Sequence, residues 1–361
     1  VGRPDGGPSS GTVTLQSDYI QGGIRLDETT AAPERKPWRD VDLVDFEFVG
    51  DAQIRPDGQE VVYVRTIVDK QENKYRSHIM RLPFVGGEAV RLTAGQGRDA
   101  TPRWSPDGRF LAFLSDRDAE LGKTEQLGGN GRLLKPLGMQ LYVLPAAGGE
   151  ALRVTDIRGG VQGFVWSPDS HTIAFSAAVP PQGPTFLSEE GKAQGERGQD
   201  GRQQEGDEVR GGEDEYERLF ARFNADVKHH TRPEYRMDGV GYREDLSNHV
   251  FVVQVAEALA QAGESNGARL PRPVQVTAGE FDHEMPAWSP DGRWLAVAAT
   301  RVARADLAKF SDLWLFPSDG STCRGEREPI KLTESDMVAL APSWAPDGSA
   351  LAFLGHRRES S

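Results

Sequence analysis

The chain has 361 residues, a formal net charge of −13 from 55 Asp+Glu against 42 Lys+Arg, and 37% hydrophobic residues. That acidic balance excludes the broad basic face that nucleic acid or an anionic membrane needs. No apolar run approaches the roughly 18 residues of a membrane helix, and the single cysteine, Cys323, excludes an intrachain disulfide or a cysteine-based zinc site.

Residues 1–40 read as a Pro/Gly-rich tail. They open at Val1 without a basic–apolar–small leader pattern, so the expectation is a cytoplasmic protein. The stretch Gly7-Pro-Ser-Ser-Gly11 matches Gly-x-Ser-x-Gly, but no apolar strand precedes it. A nucleophile elbow needs a strand and a helix on either side of the serine. Thr12-Val-Thr-Leu15 could add one strand to whatever follows.

From residue 41 onward a repeat carries the organisation. Its phrase is Ile54-Arg-Pro56-Asp-Gly58, then Trp104-Ser-Pro106-Asp-Gly108, Trp166-Ser-Pro168-Asp-Ser170, Trp288-Ser-Pro290-Asp-Gly292 and Trp344-Ala-Pro346-Asp-Gly348. Pro at the second position and Asp at the third suit a type I turn, and Gly accepts the positive φ that follows. The Trp before each turn is expected on an inner strand, packed between neighbouring sheets. An alternating apolar run follows each turn: Val61–Val64, Phe110–Leu114, Thr172–Ser176, Leu295–Ala298 and Leu351–Leu354. A second run comes at Ile79–Leu82, Gln140–Leu144, Val250–Val253 and Leu313–Phe316, and a short third at Ala89–Thr93, Ala151–Thr155, Val274–Thr277 and Ile330–Thr333.

Four short strands every 50–60 residues predict an all-β fold, a β-propeller of four-stranded antiparallel blades. The blades fall at about 45–97, 98–158, 159–280, 281–337 and from 338 onward, which makes about four and a half of an expected seven. A blade that stops after two strands leaves an open edge, so the expectation is a propeller domain over 41–361 truncated in its fifth blade. The third blade carries an insertion over about 181–247. Its part 191–208 is nearly devoid of apolar side chains and is expected to be partly disordered. Residues 214–224 hold Tyr216, Leu219, Phe220 and Phe223 at helix-compatible spacing.

Candidate chemistry is sparse. A second Gly-x-Ser-x-Gly, Gly263-Glu-Ser-Asn-Gly267, lies in a polar hairpin loop. His229 and His230 are adjacent and so diverge, which suits no metal pair. His171, His249, His283 and His356 fall at strand ends or turns, where surface hydrogen bonding is expected. The acidic run Glu213-Asp214-Glu215 is the one candidate for substrate binding, since carboxylates hold a peptide amine through charge-assisted hydrogen bonds. No metal and no cofactor is expected, and the Pro-Asp-Gly and Trp positions are read as structural.

The order of motifs resembles the N-terminal propeller of the prolyl oligopeptidase superfamily, in its acylaminoacyl-peptidase or dipeptidyl-peptidase-like branch. The residues that carry the resemblance are Gly50-Asp-Ala-Gln-Ile-Arg-Pro-Asp-Gly58, Asn73-Lys-Tyr-Arg-Ser77, Gly148-Gly-Glu-Ala-Leu-Arg-Val-Thr155, Gly159-Gly-Val161, Asp238-Gly-Val-Gly-Tyr-Arg243 and Ala339-Leu-Ala-Pro-Ser-Trp-Ala-Pro-Asp-Gly348. The resemblance implies a serine peptidase whose propeller gates short peptides to a C-terminal α/β-hydrolase domain. That domain is absent from this chain, so no triad residue is carried over and the chain alone is expected to be inactive. Implied partners are its own hydrolase domain, short peptides and, as in many relatives, further copies of itself. The alternative is a free-standing TolB-like propeller acting as a protein-interaction module.

Overall fold

A computed structural model describes residues 39–95, 97–119, 138–180, 183–184, 186, 236–237, 241–242, 246–255 and 270–357. The chain divides into two compact units, Val1–Leu43 and Val44–Ser361. In the first, the described residues are few, and Arg39 holds the Asp42 carboxylate at 2.8 Å. A 3-10 turn covers Asp40–Asp45.

Among the described residues the second unit is built from five blade sheets and one separate two-stranded pair. The first is β1 (Phe48–Ile54), β2 (Glu60–Asp69), β3 (Lys74–Pro83) and β4 (Val90–Arg91). The second is β5 (Asp99–Trp104), β6 (Phe110–Ser115), β7 (Gln140–Pro145) and β8 (Leu152–Arg153). The third sheet opens with β9 (Gly163–Trp166) and β10 (Thr172–Val179). A two-residue pair, β11 (Arg236–Met237) with β12 (Gly241–Tyr242), then precedes β13 (Ser247–Gln254) and β14 (Val274–Gln275). The fourth is β15 (His283–Trp288), β16 (Trp294–Ala299), β17 (Asp312–Pro317) and β18 (Ile330–Lys331), and the fifth pairs β19 (Met337–Trp344) with β20 (Leu351–Arg357). Four sheets have the antiparallel order first-second-third-fourth. Every apolar run read within the blades overlaps a strand, whereas Thr12–Leu15 and the insertion stretches 191–208 and 214–224 lie outside the described residues. Because β10 pairs directly with β13, the long gap between Pro168 and Pro290 is an insertion inside one blade.

The turn chemistry explains the repeat. In each copy the N–H of the fourth turn residue reaches back three residues: Gly58 to Arg55, Gly108 to Ser105, Ser170 to Ser167, Gly292 to Ser289 and Gly348 to Ala345. All five of these residues have φ between 61° and 73°. The Asp before each accepts the N–H two residues on, from Gln59, Arg109, His171, Arg293 and Ser349. Ser170 departs from Gly because its hydroxyl accepts the N–H of Asp107 in the neighbouring blade at 3.1 Å.

The sheets stand in a row and pack face to face. Leu111 and Phe113 meet Val62 and Ile79 of the first sheet, while Ala112 and Leu114 on the opposite face meet Ile173 and Phe175 of the third. Ala174 and Val252 in turn meet Leu295 and Val297 of the fourth. A strand buried on both faces reads as a continuous apolar run, and each fully buried Leu, Ile or Phe stabilises by about 1.5–3 kcal/mol. Phe175 stacks on Phe251 at 5.4 Å. The end sheets leave apolar side chains in the open on their outer sides, with Val49 68% exposed in the first and Leu354 71% in the fifth.

The tryptophans staple one blade to the next. Trp166 Nε1 donates to the Arg103 carbonyl at 3.0 Å, Trp288 to Val165 at 3.3 Å and Trp344 to Ala287 at 3.2 Å. Each acceptor is the residue just before the tryptophan or its equivalent in the preceding blade. The first blade has Ile54 in that position, and Trp104 Nε1 is buried without a hydrogen bond. Arg55 lies over its ring at 5.3 Å instead.

Candidate functional site

The strand order places two kinds of connection at opposite ends of the blades. The Pro-Asp-Gly turns and the third-to-fourth links lie at one end. The second-to-third links, such as 300–311, and the blade-to-blade links lie at the other. Loops carried on a rigid scaffold are the usual seat of binding, and buried polar groups gather at this end.

They do so in a repeating pattern. Thr93, Thr155, Thr277 and Thr333 each follow the short fourth strand. Their hydroxyls accept the backbone N–H of Ile79, Leu141, Val250 and Leu313 at 2.9–3.0 Å. The residue before each of those N–H groups is polar and buried: His78, Gln140, His249 and Asp312. Thr155 donates to Gln140 Oε1 at 2.8 Å and Thr333 to Asp312 Oδ1 at 3.0 Å, while His249 Nδ1 meets Thr277 Oγ1 at 3.2 Å. Asp312 also takes Lys331 at 2.9 Å and Ser335 at 2.9 Å, so its buried charge is compensated.

In three blades an arginine stands two residues beyond the second-strand partner of the equivalent first-strand residue (Asp99, His283 and Ala339): Arg117, Arg301 and Arg357. Arg117 lies over Phe113 at 5.2 Å and Tyr142 at 4.8 Å, and its guanidinium pairs with Asp99, 2% exposed, at 3.0 Å. Tyr142 donates to Asp118 at 2.5 Å, which burial and the carboxylate together translate into a phenol held well above its ordinary range. Arg301 is packed likewise, over Phe281, Trp314 and Phe316 at 5.3–5.4 Å. Its Nη1 meets His283 Nε2 at 2.9 Å, and the His283 ring lies 5.3 Å from that of His249.

This corrects one expectation. His249 and His283 are not surface groups: they are 5% and 0% exposed. His283 begins its strand and His249 is the third residue of its own, but the neighbouring strands and aromatic rings close over them. Burial lowers the His249 pKa to about 4 and holds that of His283 well below its ordinary value, with Arg301 adding to both effects. Both rings are therefore neutral at pH 7. His171 and His356 are exposed as expected.

The structural positions Pro56, Pro106, Pro168, Pro290 and Pro346 with Trp104, Trp166, Trp288 and Trp344 lie at the turns and blade contacts described above. Glu213, Asp214, Glu215, His229, His230 and both Gly-x-Ser-x-Gly stretches lie outside the described residues. Among the described residues no three His, Cys, Asp or Glu side chains cluster as metal ligands would. The arginine cluster was missed because its signal, an Arg two residues beyond the partner of a first-strand residue, is visible only once the blades are in register.

No family model matches the chain. It is 29% identical over 275 residues, 76% of its length, to the uncharacterized peptidase YuxL of Bacillus subtilis (strain 168), of which it covers 33%. It is 22% identical over 316 residues to the dipeptidyl-peptidase 5 of Porphyromonas endodontalis, covering 86% of this chain and 37% of that protein. A solved structure of an acylaminoacyl peptidase in complex with Z-Gly-Gly-Phe-chloromethyl ketone superposes with a TM-score of 0.50 at 16% identity, over 84% of this chain and 35% of that one. The chain thus spans about a third of the length of the curated relatives it matches. In architecture the chain is a β-propeller, and its sequence is similar to the peptidases named above.

Proposed function

We propose that this chain is the substrate-gating propeller of a longer serine peptidase that cleaves short peptides, acylaminoacyl-peptidase or dipeptidyl-peptidase-like, and is inert by itself. The observation that carries the reading is the match to peptidases over most of this chain and only a third of theirs. It favours a propeller that works beside a catalytic domain over a free-standing TolB-like module. The open apolar faces of the first and fifth sheets agree with further blades completing a ring. Such a ring admits extended peptides and excludes folded proteins by width alone. A single exposed cysteine, Cys323, fits a reducing, cytoplasmic setting.

The test compares this chain with the protein encoded by the whole reading frame, on acyl-aminoacyl and aminoacyl chromogenic substrates. The reading expects turnover by the longer protein, blocked by a serine-directed phosphonate, and none by residues 1–361. Phosphonate-sensitive turnover by the pure propeller, or a longer protein without peptidase activity, overturns it.

A further inference from the structure

Two blades place an arginine in the same aromatic setting, with a different partner. Arg117 lies 18 residues after Asp99, and Arg301 lies 18 residues after His283. The pairs are structurally equivalent. Asp99 faces Ser115 and His283 faces Ala299 across the first two strands, and the arginine stands two residues beyond. The ring beneath is equivalent too, since Tyr142 pairs with Phe113 as Trp314 pairs with Val297. In the fifth blade Arg357 occupies this position and meets Asp336 at 3.5 Å.

Arg117 and Arg357 therefore have carboxylates, and Arg301 has a neutral imidazole. No Asp or Glu among the described residues lies within ion-pair distance of it, and Glu328 acts on it only through the longer-range field. A partly buried guanidinium without a counter-charge has been taken out of water with little return. Its fork is nonetheless held still by three aromatic rings and one ring nitrogen, and it lies at the end of the blades opposite the Pro-Asp-Gly turns. Guanidinium groups fixed in this way are suited to planar, two-oxygen anions.

We infer that Arg301, with Phe281, Trp314 and His283 around it, is a binding site for a carboxylate group of a peptide, which supplies the counter-charge that Asp99 supplies to Arg117. The choice of carboxylate comes from the sister blades, where the same arginine position is satisfied by one. The choice of a peptide as its carrier rests on the proposed function. The carboxylate is either a peptide's C-terminus or an acidic side chain. His283 accepts a hydrogen bond from the arginine without adding a charge, so the guanidinium's charge is left for an external group to balance.

The test measures binding to the 361-residue chain by calorimetry and by Trp fluorescence, so it does not depend on whether the longer protein is a peptidase. The probes are N-acetyl-trialanine, its C-terminal amide, N-acetyl-Ala-Glu-Ala amide and inorganic phosphate, up to about 10 mM, where a single charge-assisted contact registers. The inference expects one or both carboxylate peptides to bind at least tenfold more tightly than the trialanine amide. Arg301→Gln should lose at least tenfold, the scale of one charge-assisted hydrogen bond, and Arg301→Lys should lose less. His283→Asp rebuilds the Asp99–Arg117 pair inside the site and should abolish binding while the fold is kept, as far-UV circular dichroism reports. Binding by only one of the two carboxylate peptides identifies its source. The inference is overturned if no probe binds, if acid and amide bind alike, if phosphate outcompetes both peptides, or if Arg301→Gln and His283→Asp, folded, bind as the parent does.

Discussion

The tryptophan staples allow a differential test, because three are hydrogen-bonded and one is not. Replacing Trp166 by Phe removes a hydrogen bond across the second and third blades, from Nε1 to the Arg103 carbonyl at 3.0 Å, a net loss of about 1 kcal/mol. Replacing Trp104 by Phe removes no bond. It removes a buried N–H that has no partner, and the relief of that desolvation contributes about 1 kcal/mol in the other direction. The two rings lose the same atoms, so the packing terms largely cancel. Weakening of the Arg55 contact over Trp104 takes back about 0.5 kcal/mol. Trp166→Phe should therefore cost roughly 1.5 kcal/mol more than Trp104→Phe. With a urea slope near 3 kcal/mol/M, the two midpoints should differ by about 0.5 M. Urea unfolding followed by far-UV circular dichroism measures this directly. Equal midpoints, or a lower one for Trp104→Phe, would show that the hydrogen bonds do not distinguish the blades.

Phe175→Ala empties a fully buried site stacked on Phe251 and should cost about 3–5 kcal/mol in the same urea experiment. Gly292→Ala leaves room for the new methyl group, 3.6 Å from Ser167 Oγ, but keeps φ at +70°, so a loss of about 1 kcal/mol is expected from backbone strain alone. Stability should also fall with acid. His249 titrates near pH 4 in the folded chain and near 6.5 when unfolded, so the unfolded state binds the extra proton between those values and stability drops as pH falls from 6.5 to 4. The groups facing the imidazole are Thr277, His283 and Arg301. Melting temperatures of His249→Gln across that window should show a flatter slope, and an unchanged slope would place the effect elsewhere.

The fold was legible because its signals are local. A Pro-Asp-Gly turn is defined by four residues and closes the same hairpin wherever it stands, so Pro106, Pro290 and Pro346 announce their strands without knowledge of the rest. The apolar runs are continuous, as in Phe110–Leu114, because neighbouring sheets cover both faces, and that continuity also survives in the sequence. Thr93, Thr155, Thr277 and Thr333 were read as strand ends, but their capping of the third strand spans 14 residues or more and could not be read from neighbours. His249 and His283 were misjudged for the same reason. Each sits among polar residues, in Ser247-Asn248-His249 and Asp282-His283-Glu284, and is buried by strands distant in the chain.

The binding end remained hidden for a reason specific to repeats. A repeat advertises what its copies share, whereas a site requires one copy to differ. Asp99 and His283 occupy the same register position, 18 residues before Arg117 and Arg301, and no feature near either residue marks the exchange. Its meaning appears only when the two blades are superposed. An aspartate completes the arginine of the second blade, whereas a neutral histidine leaves that of the fourth incomplete. A scaffold that needed only stability would have kept the carboxylate, since a partly buried guanidinium without one sacrifices the return on its own desolvation. The blade whose internal partner is neutral is thus the one whose arginine can take an external carboxylate, at the end of the blades opposite the Pro-Asp-Gly turns.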